Sequence, residues 1–203
     1  MLCSGCVDTI QDTFNEYACG LCGQRAYRGG LCGTCRRDTK LSGLVYLGHF
    51  EGALKEILHA LKYEDVRNAA AVLGGALAEG VKDAGLPRGV IIPIPLSKPR
   101  RRERGYNQAA LIAGALADAI DWPLLDALER VKHTKPQTKL SRSLRLANMT
   151  DAFQSRFNFK ESNLPVYLVD DVATTGATLT AAARALKKTG AHRVVGIVVA
   201  TGH

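Results

Sequence analysis

No apolar run in this 203-residue chain approaches the length needed to span a bilayer, and Met1-Leu2-Cys3 opens no secretion signal. The expectation is a cytoplasmic protein with no membrane insertion. Cysteine is absent after residue 35, so most of the chain is built without disulfides. Neither Gly-x-x-x-x-Gly-Lys-Ser/Thr nor Gly-x-Gly-x-x-Gly occurs at the strand-to-helix junction near residue 170, which excludes a triphosphate loop and a dinucleotide turn there. Acidic residues are missing from 130 to 150, where Arg130, Lys132, Lys135, Lys139, Arg142 and Arg145 form a basic block. No side chain declares itself as a base for an acceptor substrate.

What is present suits a globular protein: 46% hydrophobic and 23% charged residues, enough chain for one α/β domain with a small appendage. The net charge of +8 favours anionic partners such as phosphorylated metabolites, nucleic acid or an acidic protein.

All six cysteines fall in three Cys-x-x-Cys pairs, Cys3/Cys6, Cys19/Cys22 and Cys32/Cys35. In a chain with no secretion signal this spacing argues for metal rather than disulfides. Nine residues rich in glycine and polar groups separate the second pair from the third, enough for a hairpin that brings two knuckles together. Cys19, Cys22, Cys32 and Cys35 are therefore the expected ligands of a tetrahedral structural Zn2+, in an amino-terminal zinc ribbon over residues 1–40. Cys3 and Cys6 are left open as free thiols, as ligands of a metal shared across a dimer, or as replacements for one of the later pairs.

The remaining residues, 41–203, read as one larger domain. Val166-Tyr167-Leu168-Val169 runs into Asp170-Asp171, then Val172-Ala173-Thr174-Thr175-Gly176-Ala177-Thr178, then a helical pattern from Leu179 to Lys188. A buried parallel strand ending in two acids delivers them to the carboxyl edge of a sheet, where open α/β folds bind ligands. Thr174, Thr175, Gly176 and Thr178 can surround an anion with hydroxyls and backbone N–H groups, aided by the positive end of the helix. A sugar 5-phosphate fits: phosphate in the loop, ribose hydroxyls on the carboxylates. This stretch resembles the phosphoribosyl pyrophosphate (PRPP) signature of type I phosphoribosyltransferases.

Elsewhere, Leu44 to Leu47 reads as an edge strand, and Phe50 to Tyr63 as an amphipathic helix through Leu54, Ile57, Leu58 and Leu61. Lys62 suits either a helix-end cation or a substrate contact. A second helix spans Asn68 to Lys82, and Val90 to Pro95 is a short strand stopped by proline. Lys98 to Arg104, with five basic residues in seven, reads as a loop that is either solvated or laid over a polyanion. The next helix, Asn107 to Ile120, is expected to pack through Leu111, Ala115, Leu116 and Ala119, and Arg193 to Ala200 is a fully buried strand.

Lys62-Tyr63-Glu64-Asp65, Pro93-Ile94-Pro95-Leu96, Arg104-Gly105-Tyr106-Asn107-Gln108, Arg130-x-Lys132-x-Thr134-x-x-Gln137, Arg145-x-x-Asn148 with Phe153, and Leu168 to Thr178 occur in this order. Together they resemble the ComF family, bacterial competence proteins with a phosphoribosyltransferase-like domain. Members often carry four Cys-x-x-Cys pairs in a double zinc ribbon; three are present here. The resemblance implies a type I phosphoribosyltransferase fold, a mostly parallel sheet between helices with a hood above its carboxyl edge. It implies that Asp170 and Asp171 hold the ribose hydroxyls, and that Ala173, Thr174, Thr175, Gly176, Ala177 and Thr178 hold the 5-phosphate, with Val172 in the same signature. Pro95 and Leu96 would sit at the pyrophosphate, Arg104 would belong to a mobile cover, and Mg2+ would arrive with PRPP.

The same resemblance implies a role in DNA uptake, with incoming single-stranded DNA and components of the uptake machinery as partners. Arg100, Arg101, Arg102, Arg142 and Arg145 are the candidate nucleic-acid contacts, and Tyr17, Tyr27 and Tyr106 suit either stacking or structural roles. Three functions compete: a PRPP-binding competence factor, an active phosphoribosyltransferase with an unidentified nitrogen acceptor, and a partner module of the uptake machinery.

Overall fold

A computed structural model describes residues 18–26, 30–131 and 151–202. Cys3, Cys6, Tyr17, Tyr27, Arg142, Arg145 and the rest of the second basic block beyond Val131 lie outside the described residues. In chain order the elements are α1 (Gly33–Thr39), β1 (Gly43–His49), α2 (Gly52–Tyr63), α3 (Ala69–Asp83), β2 (Val90–Pro93), α4 (Lys98–Arg104), α5 (Gln108–Ile120), β3 (Leu128–Arg130), β4 (Phe153–Ser155), β5 (Val166–Ala173), α6 (Ala177–Lys188) and β6 (Val194–Thr201).

Four strands form one sheet in the order β1-β6-β5-β2, and every pairing in it is parallel. Its strands therefore all end at one carboxyl edge. Helices cover both faces, which is why β6 is buried at every position and is rich in Val and Ile. Alternation along β5 sends Val166 and Leu168 into a core shared with α6 and the cysteine turn, and Tyr167 and Val169 into a core shared with α2, α3 and α5. A separate antiparallel pair, β3 with β4, stands beside the carboxyl edge, where the hood of a phosphoribosyltransferase is expected.

Three local expectations change. The basic stretch from Lys98 to Arg104 is the helix α4, because Pro99 sits in the first turn, where its missing N–H costs nothing, and Gly105 stops the helix at φ 75°. The strand carrying the two aspartates continues to Ala173, and α6 starts at Ala177, leaving Thr174, Thr175 and Gly176 as the connection. Helix α5 buries Gln108, Ala109, Ile112, Ala113, Leu116 and Ala117, while Leu111 and Ala115 are half-buried and Ala119 is exposed. The buried stripe is rotated from the expected one because α5 packs on the sheet and on α3 together. At the α3–α5 crossing, a Cβ placed on Gly74 would meet Ala115 Cβ at 2.5 Å and Leu116 N at 2.7 Å, so glycine is what permits the approach.

The second and third cysteine pairs converge. The four Sγ atoms of Cys19, Cys22, Cys32 and Cys35 lie within 4.8 Å of one another, with Cys22 and Cys32 at 3.7 Å. Four thiolates about 2.3 Å from a common zinc stand at this kind of spacing, so the donor set fits a structural Zn2+. Burial pushes the Cys19 thiol up, but backbone N–H groups of Cys32 and Leu21 more than reverse this and lower it to about 7. Cys19, Leu21, Cys32 and Cys35 belong to the same buried cluster as Leu168, Leu179 and Val198. The ribbon is thus packed into the main core rather than hung from it.

Adjacent glycines on α3 give a signed test. Gly74→Ala meets backbone and should lower stability by roughly 1–3 kcal/mol, whereas Gly75→Ala meets nothing within 4 Å and should raise it by up to about 1 kcal/mol, both by urea melts. Changes of the same sign at the two sites would contradict the packing. Native mass spectrometry should find one zinc per chain, lost in Cys32→Ser and retained in Cys3→Ser; a metal-free wild type would contradict the cysteine assignment.

Candidate ligand site at the carboxyl edge

The two aspartates occupy successive positions on β5, so their side chains leave the sheet on opposite faces. Asp170 faces the α6 side. With Thr174, Thr175, Gly176 and Thr178 it lines a concavity that narrows to about 40 Å³. Gly176 has φ 70°, a conformation that glycine takes without strain, and it is the N-cap of the twelve-residue helix α6. A Cβ on it would also meet Leu21 Cδ1 at 2.8 Å. The turn between Cys19 and Cys22 therefore lies directly against the loop. Thr175 Oγ1 accepts from Ala177 N, which orders the start of the helix.

Asp171 points the other way and is buried. Its Oδ2 accepts from Lys62 Nζ at 2.8 Å and from Gln108 Nε2 at 2.8 Å, and its Oδ1 accepts from its neighbour's backbone, Val172 N, at 2.6 Å. Lys62, read from the sequence as a helix-end cation or a substrate contact, has its ammonium paired with Asp171 instead. Four residues of the Arg104-Gly105-Tyr106-Asn107-Gln108 stretch build up the same edge, from Gly105 to Gln108. Gly105 terminates α4, the Tyr106 hydroxyl donates to Leu61 O, Asn107 caps α5 and donates to Ile94 O at 3.0 Å, and Gln108 reaches Asp171.

These surroundings split the two carboxyls. Burial and the adjacent Asp171 charge push Asp170 up to about 8. Burial favours protonation of Asp171 too, but the Lys62 charge and the bonds from Lys62, Gln108 and Val172 outweigh it and hold the group below its ordinary range. The two shifts are coupled: the charge that Lys62 favours on Asp171 is one cause of the rise at Asp170.

Pro95 and Leu96 line a different cavity of about 660 Å³, between the end of β2 and the β3–β4 pair. Arg101 lines the same cavity, as do Glu129, Arg130 and Arg156, with Arg156 bonded to Glu129 at 3.2 Å. Arg130 feels Asp170 electrostatically: burial and the Arg100 charge lower its pKa, and Asp170 opposes them. Arg100 and Arg102 are exposed on α4. Arg104 lines a third cavity with Tyr63, whose hydroxyl it reaches at 3.2 Å.

Sequence reasoning did not assign Lys62, Gln108 or Arg130 to the site. The first two had a readable signal: each is a polar residue on the buried stripe of an amphipathic helix, four residues from Leu58 and from Ile112. Arg130 stood in a basic block and opened the Arg130-x-Lys132-x-Thr134-x-x-Gln137 pattern, neither of which gave it a role at the site.

Residues 107–203 match the phosphoribosyl transferase domain. Among curated proteins the chain is similar to competence protein F of Haemophilus influenzae, 34% identical across 95% of this chain and 87% of that protein. It is 29% identical to the DNA utilization protein YhgH of Escherichia coli strain K12, again across 95% of this chain and 87% of the other. Competence protein ComFC of Bacillus subtilis is 41% identical across 50% of this chain and 39% of its own length. With an all-parallel sheet, the Asp170–Thr178 loop and a cysteine quartet packed against it, the chain belongs to the ComF family of competence proteins with a phosphoribosyl transferase domain.

Proposed function

We propose that this protein binds PRPP, or a related ribose 5-phosphate, at the Asp170–Thr178 loop and acts in DNA uptake on incoming single strands. One observation carries the ligand assignment: a loop of small and hydroxylated residues opens a helix at the carboxyl edge of a parallel sheet, with the Asp170 carboxyl lining it. The 5-phosphate would lie against Ala173, Thr174, Thr175, Gly176, Ala177 and Thr178, and the ribose hydroxyls against Asp170. Asp171 would act from behind, as the charged anchor that keeps β5, α2 and α5 in register at that edge. Pro95 and Leu96 would flank the pyrophosphate.

The loop brings a single carboxylate, Asp170, to the ligand side. Mg2+ would therefore come in on the pyrophosphate and ribose oxygens and supply charge neutralisation there. For Asp170 to accept a ribose hydroxyl bond as a carboxylate it must give up the proton that burial favours, so ligand binding is coupled to proton release near neutral pH. The DNA part of the reading is supported by the names of the relatives, the net charge of +8 and the exposed arginines of α4.

A second reading, transfer of the phosphoribosyl group to a nitrogen acceptor, is favoured by the 660 Å³ cavity beside Pro95 and Leu96, a volume in the range of small-molecule sites. The C1–O bond to pyrophosphate would break as a C1–N bond formed, and pyrophosphate would leave. Pyrophosphate release on adding nucleobases separates this reading from binding alone.

PRPP with Mg2+ at a hundredfold excess over Kd should stabilise the wild type by about 2.7 kcal/mol, read as a rise in Tm, and should do much less for Asp170→Ala. Equal rises would count against the loop. The Asp170 proton gives a second test. With a folded pKa of about 8 and an unfolded value near 4, Asp170 contributes stability that is present below about pH 4 and lost as pH rises through 8. Asp171, lowered instead, changes little above pH 4. Urea stability of the wild type should therefore fall between pH 5 and 8 relative to Asp170→Asn; a pH-independent difference would contradict the buried proton.

A further inference from the structure

Behind Asp171, on the α2 side of the sheet, lies a cavity of about 400 Å³ that the ligand site does not use. Tyr63, Arg67, Arg104 and Tyr106 line it, with Lys62, Asp65 and Glu103. Two cation–ring stacks define it. The Arg104 guanidinium lies 5.0 Å from the Tyr63 ring centre, and the Arg67 guanidinium 4.6 Å from that of Tyr106.

The charges are unequally satisfied. Lys62 is held by Asp171 at 2.8 Å and Arg67 by Asp65 at 2.7 Å. Arg104 forms no ion pair among the described residues. Its Nη2 donates to the Tyr63 hydroxyl, while its Nε and Nη1 are out of contact with water and have no acceptor among the described residues. A guanidinium that has lost solvent at two nitrogens without gaining a partner is costly, and an anion entering the cavity is the natural remedy. Tyr63 meanwhile is 59% exposed, its ring beside that of His59 at 4.9 Å. A largely exposed aromatic ring next to an under-bonded arginine has the composition of a nucleotide subsite: base on the ring, phosphate on the cation. Arg100, Arg101 and Arg102 follow on α4, a helix with no buried residue, and continue the positive charge away from the cavity.

We propose that the Tyr63–Arg67–Arg104–Tyr106 cavity seats one nucleotide of a single strand, with the base on Tyr63 and a phosphate on Arg104. This rests on the DNA-handling reading and gives it a site. Lys62 stands between the two sites, lining this cavity while it holds Asp171 under the ribose-phosphate loop.

The test is fluorescence anisotropy of a labelled oligothymidylate with the full chain. Tyr63→Ala should weaken binding about tenfold, and Tyr63→Phe, which keeps the ring, should bind within about twofold of wild type. Arg104→Gln should weaken binding and flatten its salt dependence. Arg88→Gln, which removes the same charge just before β2 at the opposite edge, should have a smaller effect than Arg104→Gln. Free thymidine 5′-monophosphate should compete only weakly; equal competition would make this a site for free nucleotides and overturn the single-strand assignment. The proposal also fails if Tyr63→Ala binds like wild type, or if Arg88→Gln weakens binding as much as Arg104→Gln does. Wild type that binds no oligonucleotide would overturn the DNA reading with it, whereas the PRPP reading is judged separately by the thermal shift.

Discussion

The carboxyl edge is organised by one buried carboxylate. Asp171 leaves β5 on the side away from the phosphate loop and gathers three donors, Lys62 from α2, Gln108 from α5 and the backbone of Val172. An isolated charge at that depth would be expelled or neutralised; these bonds keep it ionised. They also fix where α2 ends and α5 begins relative to β5, the strand that leads into the Thr174–Gly176 connection. The charge favoured on Asp171 pushes Asp170 the other way, so adjacent identical residues have their pKa values shifted in opposite directions. In the ligand reading this becomes a division of labour: Asp170 would face the ligand, while Asp171 supports the scaffold.

The cysteine turn serves the same loop from the other side. Leu21, between two of the thiols, is fully buried against Gly176, at the point where the loop becomes helix α6. A metal closing the quartet would stiffen that turn, so the ribbon has a physical connection to the ligand loop that does not depend on any contact with nucleic acid. The cysteine turn and the sheet share one hydrophobic cluster, and α1 packs on α6.

Much of this was legible in the chain. The apolar stretch Val166 to Val169 that opens β5 and the Val/Ile-rich β6 announce strands buried on both faces, and the Cys-x-x-Cys spacing announces a quartet. Thr-Thr-Gly after paired acids announces an anion loop. What periodicity did not reveal was the direction of each acid. A strand alternates sides, and Asp170 and Asp171 can only diverge, yet which one meets the ligand depends on which face α6 covers. Helix α4 was hidden for a different reason: charge density and Pro99 suggest a loop, but arginine is a good helix former and proline is tolerated in a first turn. The cavity around Tyr63 joins residues 41 positions apart and depends on tertiary packing, so Tyr63 gave no sign of stacking in the sequence.

The most direct measurement is difference density from crystals grown with PRPP and Mg2+. The account predicts the 5-phosphate against Thr174 to Thr178 and the ribose hydroxyls on Asp170, with Asp171 still bonded to Lys62 and Gln108. Density that leaves this loop empty, or a ribose held by Asp171 after it has abandoned Lys62, would contradict it.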